Sequence, residues 1–223
     1  MKFAWEHPIG VLGLGLIVTG HVMGLVWAPP EVMMGDVGRI LYVHVPAAWI
    51  AMVMYTVSFV GALAHLITGR SGWDWLVEAT VEVGVLLNIL LLLLGSIFAR
   101  PTWGVWWDWD PRLTASAIMC LTFIGILVLR AMVQDVESRA NMSSVATILA
   151  YVNIPITYFS VRWWRSIHQV QSSPDTVSDP MVLVLRINAF AVLFVAIWFV
   201  ARRWRIAKHR TAQLTPPPLE SAS

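Results

Sequence analysis

The sequence predicts an all-α membrane protein, a bundle of six transmembrane helices with short loops, one of which is rich in tryptophan. Of its 223 residues, 58% are hydrophobic and only 13% are charged. That charged fraction is about half of the charged fraction of a typical soluble domain. Apolar runs of about 20 residues, long enough to cross the hydrocarbon core of a bilayer, recur along the whole chain.

Six spans are predicted, at residues 8–28, 46–68, 79–99, 111–132, 143–161 and 181–201. The first apolar run has no small-residue cleavage site followed by a soluble body, so we expect it to be a span and not a removed signal. We predict one six-helix transmembrane domain over residues 1–205 and a basic, disordered cytoplasmic tail over residues 206–223. Three consecutive prolines in the tail, at 216–218, favour disorder.

The distribution of cationic residues predicts that both termini are cytoplasmic. With six spans, nine Lys and Arg residues fall on the side of the termini and five on the other side. The prediction depends on the basic tail, with its five cations Arg202, Arg203, Arg205, Lys208 and Arg210. A basic cluster directly after an apolar span is suited to contact anionic lipid. The high isoelectric point therefore indicates a membrane surface and not a nucleic acid partner.

The loop between the third and fourth spans holds four tryptophans within seven residues, Trp103, Trp106, Trp107 and Trp109. We call these four residues the tryptophan shelf. Their broad, polarisable faces suit a flat apolar ligand, and their indole N–H groups supply donors at its rim. The alternative is an interfacial segment anchored at headgroup level, although tryptophan is usually more scattered in such segments.

The end of this loop predicts the start of the fourth span. Asp110 is a suitable N-cap residue, and Pro111 suits the first helical position. Arg112 lies at the same edge. It can pair with Asp110 or with an anionic group of a ligand, and the sequence leaves both roles open.

Two of the six histidines are candidate metal ligands. His44 lies at the start of the second span and His168 follows the fifth, so both are predicted on the same side of the membrane as the tryptophan shelf. Neutral imidazoles from two separate segments are common axial ligands of haem iron. We therefore predict that His44 and His168 ligate haem. Arginines of this side are suited to bind the haem propionates: Arg162 and Arg165, with Arg39 and Arg100.

The remaining histidines of the spans fit such a site less well. His65 follows His44 by 21 positions, which separates them by about 30 Å along a helix. They cannot share one small ligand. His21 lies within the first span, where it either bonds a neighbouring helix or has a function in the membrane.

These segments together resemble a known family. The run 100–114 resembles the tryptophan-rich "WWD" segment of haem-handling membrane proteins. The segments 43–49 and 151–169 resemble one such family in particular, the heme exporter protein C (CcmC) family of the cytochrome c maturation system. The resemblance covers about residues 5–205, with six spans in the same order.

The resemblance implies that haem b binds at the outer leaflet of the bacterial inner membrane. The ligands would be His44 and His168, and the tryptophan shelf with Asp110 would hold the macrocycle. It also implies partners: a periplasmic haem chaperone, an ATP-binding cassette ATPase with its permease, and a small single-span subunit. The chain itself would not be an enzyme, and lyase-like attachment of haem would belong to the assembled complex. Asp108 stands where the family usually has an apolar residue, and Pro111 where a small one is usual; we assign Asp108 no binding role.

Two other functions are compatible with parts of the pattern. A b-type haem electron-transfer subunit would ligate haem within the membrane, where only His21 is clearly placed. A permease-like scaffold without a cofactor would use the tryptophans as interfacial anchors only. Glu78 and Glu82, four residues apart in the third span, predict a helix contact or a partner site. No ATP-binding loop, catalytic triad or nucleophile elbow is present in the sequence.

Overall fold

The computed structural model describes residues 6–168 and 177–214, and these residues form helices and connecting loops without a β-strand. The predicted all-α class is confirmed. The α-helices are Glu6–Val22 (α1), Leu41–Thr68 (α2), Ser71–Trp103 (α3), Pro111–Met132 (α4), Val136–Tyr151 (α5), Asn153–Trp163 (α6) and Asp179–Leu214 (α7). A π-helical turn at Met23–Trp27 ends α1, and a 3₁₀ turn at Asp36–Ile40 leads into α2.

Six helical segments in the described part of the chain are long and apolar enough to cross a membrane, as predicted. They are Glu6–Trp27, Asp36–Thr68, Ser71–Trp103, Pro111–Met132, Val136–Trp163 and Asp179–Leu214. The third and sixth segments are longer than predicted. Their extensions carry charged residues that pair with one another between helices, such as Glu78 with Arg210.

The predicted boundary at residue 205 lies inside α7, because residues 206–214 are helical and not disordered. The last turns of α7 are held against α3. Trp75 Nε1 donates to Thr211 Oγ1 over 3.1 Å, and Arg210 forms an ion pair with Glu78. Residues 215–223, which contain the three prolines, lie outside the described residues.

The fifth segment is interrupted between α5 and α6, where Val152 is the junction. Pro155 lies one turn further on and has no N–H to donate to the Tyr151 carbonyl, so one hydrogen bond of a continuous helix is missing. Beyond this break α6 packs on α4. The end of α6 is thereby brought beside the start of α4.

The largest cluster of buried apolar side chains lies between α2, α3 and α4, with contributions from α5 and α6. The rings of Tyr55 and Phe123 stack with 3.7 Å between their centroids, and the Tyr55 hydroxyl donates to Asn88 Oδ1 over 3.3 Å. On the other side of the bundle, α1 packs closely on α7, where a Cβ atom at Gly13 would lie 2.9 Å from Val195 Cγ2. Small residues of this kind let membrane helices approach closely.

Candidate functional site

A cavity of about 330 Å³ lies at one end of the bundle, a volume at the lower end of the range of ligand pockets. The starts of α2 and α4, the end of α3 and the segment after α6 surround it. We call this the tryptophan-rich end. The cavity brings together five residues that the sequence predicted for a site: His44, Trp103, Trp107, Arg112 and His168.

His44 lies in the first turn of α2. The preceding 3₁₀ turn is fixed by Arg39, whose Nε donates to Asp36 Oδ1 over 2.8 Å and whose Nη1 donates to the Ala28 carbonyl over 3.1 Å. Arg39 thus ties the end of the first span to the start of the second. It lies outside the lining of the cavity, and its predicted role near a ligand stays a prediction.

The side chain of His44 packs against Gly95 of α3. A Cβ atom at Gly95 would lie 3.2 Å from His44 Cε1, so the absence of a side chain there makes room for the imidazole. His44 Nδ1 is buried and makes no hydrogen bond of normal geometry with a described residue, although the ring interacts weakly with the Leu91 backbone. Sequence reasoning missed Gly95. A lone glycine within a leucine-rich helix is the signal that could have indicated this close approach.

His168 is positioned by contacts with α3 and α4. Its ring lies 5.3 Å from the Trp103 ring, between centroids, and its Nδ1 lies 3.8 Å from Asp110 Oδ1. Burial, assisted by the positive charge of Arg112, lowers the pKa of His168 to about 4, and Asp110 opposes the shift only in part. The imidazole is therefore neutral at physiological pH, which is the form that binds a metal.

Asp110 is the predicted N-cap of α4 and is almost fully buried. Its Oδ1 accepts from the N–H groups of Arg112 and Leu113 over 2.9 and 3.4 Å. Its Oδ2 accepts from the N–H of Ile167 over 2.8 Å, a contact that the sequence did not indicate. Burial raises the pKa of Asp110, but hydrogen bonds from Ser166, Ile167 and Arg112 outweigh it, and the pKa lies below its usual value. The carboxylate is ionised.

The two roles left open for Arg112, pairing with Asp110 and contact with a ligand, both stay predictions. Its backbone N–H donates to Asp110, whereas its guanidinium lines the cavity. Nη1 of this guanidinium is buried and has no hydrogen-bond partner among residues 6–168 and 177–214. An anionic group in the cavity would supply one.

The tryptophan shelf divides into two pairs. Trp103 and Trp107 line the cavity, whereas Trp106 and Trp109 lie outside its lining and are 60% and 81% exposed. The loop folds back onto α3 because Gly104 adopts a positive φ of 81° and Ser96 Oγ donates to the Trp106 carbonyl over 2.9 Å. A cavity role for Trp106 and Trp109 stays a prediction.

Three further arginines of this end do not line the cavity. Arg100 donates to the Gly104 carbonyl and so helps to end α3. Arg162 lies over the Phe159 ring, 5.9 Å from its centroid, and Arg165 is exposed. Propionate binding by Arg162 and Arg165 stays a prediction.

Comparison with known families decides the classification. A family model described as heme exporter protein C (CcmC) matches residues 3–215. The chain belongs to this family. The resemblance drawn from the three sequence segments is thereby confirmed, and the chain is a multi-pass membrane protein.

The names of individual relatives agree with the description of this family. Heme exporter protein C of Bradyrhizobium diazoefficiens is 34% identical over 193 residues, which cover 84% of this chain and 73% of that protein. Heme exporter protein C of Haemophilus influenzae is 34% identical over 199 residues, covering 87% and 81%. A putative cytochrome c biosynthesis ccmC-like mitochondrial protein of Marchantia polymorpha is 32% identical over 148 residues, covering 66% and 62%.

The other histidines of the spans make local contacts in this member of the CcmC family. His21 Nδ1 lies 2.7 Å from the Ile17 carbonyl of its own helix, and His65 Nε2 lies 3.2 Å from Asn141 Oδ1. The other described histidines lie near helix ends or outside helices.

The paired glutamates of α3 form helix contacts, one of their two predicted roles. Glu78 pairs with Arg130 of α4 and Arg210 of α7, and Glu82 pairs with Arg203 of α7. These contacts lie at the end of the bundle opposite the cavity of His44.

Proposed function

We propose that this protein binds haem b, as cargo, in the cavity at the tryptophan-rich end and presents it to a periplasmic haem chaperone for the biogenesis of c-type cytochromes. The names of its relatives refer to heme export and to cytochrome c biosynthesis. The observation that carries the proposal is that His44 and His168, from two distant segments, line one cavity. Their rings are close enough to interact electrostatically.

The chemistry of the cavity fits haem. Two imidazoles provide the donor set of a bis-histidine iron site. The faces of Trp103 and Trp107 provide apolar walls for a macrocycle. The unpartnered guanidinium nitrogen of Arg112 is suited to a propionate, because a charge-assisted hydrogen bond compensates the burial of both groups.

Presentation requires that the cargo can leave. The His168 side chain is 24% exposed, so we place this ligand on the accessible side of the cavity. His44, by contrast, lies in a long helix, and its Nδ1 is buried. We propose that His44 holds the cargo on the bundle and that His168 closes the accessible side until transfer. Attachment chemistry would belong to the chaperone and to the assembled complex.

Haem content tests the ligand assignment. We expect wild-type protein purified from haem-replete cells to carry haem, and the variants His44→Ala and His168→Ala to lose most of it and to change its Soret spectrum. His65→Gln is the matched control, because glutamine can keep the bond to Asn141 at the far end of α2. Unchanged haem content and spectrum in both alanine variants would exclude the two histidines as ligands.

Delivery is tested by co-expression with the chaperone. We expect the wild type to yield chaperone with covalently bound haem, visible by haem staining after denaturing electrophoresis, and the double-histidine variant to yield none. Equal staining with both would overturn the proposed transfer. A reversible redox couple with quinone-dependent turnover would instead support a b-type electron-transfer subunit.

We further propose that the protein lies in the bacterial inner membrane with both termini in the cytoplasm and works with an ATP-binding cassette ATPase, its permease and a small single-span subunit. The single native cysteine, Cys120, is buried, so it gives little background in thiol labelling. A membrane-impermeant maleimide should label Val105→Cys from the periplasm and His209→Cys only after cell lysis. The reverse pattern would contradict this orientation. The partner subunits should co-purify with the tagged chain.

A further inference from the structure

A second cavity, of about 480 Å³, lies at the opposite end of the bundle. Along α3 its nearest lining residue, Glu82, lies nine positions before Leu91 of the first cavity, which corresponds to about 14 Å. Its lining combines apolar side chains of α4 and α7 with charged ones. The charged lining residues are Glu78, Glu82, Arg130, Arg139 and Arg210.

Most of these charges already have partners. Arg130 Nη1 donates to Asp74 Oδ1 and to Ser143 Oγ, each over 2.6 Å. Its Nη2 donates to Asp74 Oδ2 over 3.2 Å and to Glu78 Oε2 over 2.6 Å. Arg210 pairs with Glu78 as well. Both carboxylates that face Arg130 are therefore occupied by hydrogen bonds.

Arg139 differs from these residues. It is 95% buried, since 5% of its surface is exposed, and it lines the cavity. Its Nε and Nη2 atoms are buried without a hydrogen-bond partner among the described residues. Donor atoms of a buried charged group that lack a hydrogen-bond partner are costly, so the position favours an anionic acceptor.

The surrounding charges favour an anion. Asp74 and Glu78 attract the Arg139 charge, while Arg130 and Arg210 repel it. Among the charged residues that line the cavity, two carboxylates, Glu78 and Glu82, stand beside three guanidiniums, Arg130, Arg139 and Arg210. Asp135 also interacts with Arg139, but it is exposed and its carboxylate accepts from the Ser138 N–H over 2.7 Å. Arg139 moreover lies in the first turn of α5, where the helix dipole adds positive potential.

We infer that this cavity binds a phosphate oxyanion, supplied by the headgroup of an anionic phospholipid, with Arg139 as its main donor. The apolar surroundings favour a lipid over free phosphate. Leu127, Ala131 and Val133 line the cavity beside the arginines, and exposed apolar side chains continue along α4 and α5, among them Met132, Met142 and Val145. Basic pockets between transmembrane helices commonly take anionic headgroups in this way.

Ligand-induced stabilisation tests the inference on full-length protein, delipidated in a neutral detergent. We expect phosphatidylglycerol to raise the Tm of the wild type and native mass spectrometry to retain one such lipid per chain. Arg139→Gln should bind phosphatidylglycerol at least about tenfold more weakly, since a buried charge-assisted contact is lost. Arg139→Lys should bind with intermediate strength, because lysine keeps the charge but not the planar fork of donors.

Arg70→Gln is the matched control. It removes one exposed positive charge at the same end of the bundle, outside the lining of the cavity, and should leave phosphatidylglycerol binding unchanged. Inorganic phosphate distinguishes the source of the anion. If the site binds lipid, phosphate alone should not raise the Tm. A rise with phosphate that equals the rise with phosphatidylglycerol and depends on Arg139 would assign the site to free phosphate. Phosphatidylglycerol binding that is equal in the wild type, Arg139→Gln and Arg139→Lys, or absent from the wild type, would overturn the inference.

Discussion

The carboxylate of Asp110 joins the first turn of α4 to the backbone of Ile167, which donates to Asp110 Oδ2 over 2.8 Å across 57 positions of the chain. The other oxygen of the same carboxylate caps α4 and lies 3.8 Å from His168 Nδ1. One buried side chain therefore sets where His168 stands relative to the cavity.

Asp110→Ala should reduce both stability and haem content. The loss of the cap costs about 1 kcal/mol, and the loss of the bond to Ile167 releases the segment that carries His168. Asp110→Asn, which keeps one acceptor oxygen, should retain more haem. The measurements are thermal unfolding and the haem-to-protein ratio. Asp135→Ala removes the equivalent cap of α5, whose carboxylate accepts from Ser138, and should lower stability without loss of haem. Equal haem loss in the Asp110→Ala and Asp135→Ala variants would argue against a specific role of Asp110.

Gly95→Ala should disturb His44 without unfolding the protein. The added Cβ would lie 3.2 Å from His44 Cε1, so the imidazole must move by a few tenths of an ångström. We expect a shifted Soret band or a several-fold weaker haem affinity. Gly125→Ala in α4 is the control, because a Cβ there meets nothing within 4 Å; it should leave the spectrum unchanged and stabilise the helix by about 0.5–1 kcal/mol. An identical spectrum for Gly95→Ala and wild type would mean that His44 does not contact the iron.

The two pairs of the tryptophan shelf should differ in their effect on haem. Trp103→Ala and Trp107→Ala each remove an aromatic wall of the cavity and should weaken haem affinity about 3- to 10-fold, the equivalent of one aromatic contact. Trp106→Ala and Trp109→Ala should change it by less than about twofold, because these side chains are largely exposed. Haem titration monitored by absorbance measures both. Larger losses from the exposed pair would show that the shelf closes on the macrocycle as a unit of four.

The sequence predicted the fold well because the signals of membrane helices are local. Apolar runs revealed all six spans, and the pair Asp110 and Pro111 marked the start of α4 at the residue where the helix begins. The ends of α3 and α7 were predicted less well. They depend on ion pairs between residues far apart in the chain, such as Glu78 with Arg210, and the hydropathy of either segment alone does not contain that information.

The site likewise combines features that local sequence signals predict with features that depend on contacts between distant residues. Residue type and side of the membrane predicted His44, His168 and Arg112, which the structure brings to one cavity. They did not reveal which arginines donate hydrogen bonds to backbone carbonyl groups. Arg39 and Arg100 donate to carbonyl oxygens at helix ends, and only the three-dimensional path of the chain shows this.

The pKa of His168 makes the stability of the haem-free protein depend on pH. Burial first, and then the charge of Arg112, lowers this pKa from 6.5 to about 4. Between these two values the unfolded chain binds more protons at this position than the folded protein. Stability should therefore fall as the pH drops from 6.5 to 4, by at most about 1.4 kcal/mol per pH unit from this group.

His168→Gln isolates the contribution of this one group. The variant should lack that part of the pH dependence, so the stability of the wild type relative to His168→Gln should stay constant above pH 7 and decrease steadily towards pH 4. Unfolding of both haem-free proteins in mixed detergent micelles across this range measures the difference, in which the titrations of groups not coupled to this imidazole cancel. A constant difference down to pH 4 would mean that the imidazole titrates at its ordinary pKa, and hence that the segment carrying His168 does not rest in the cavity when haem is absent.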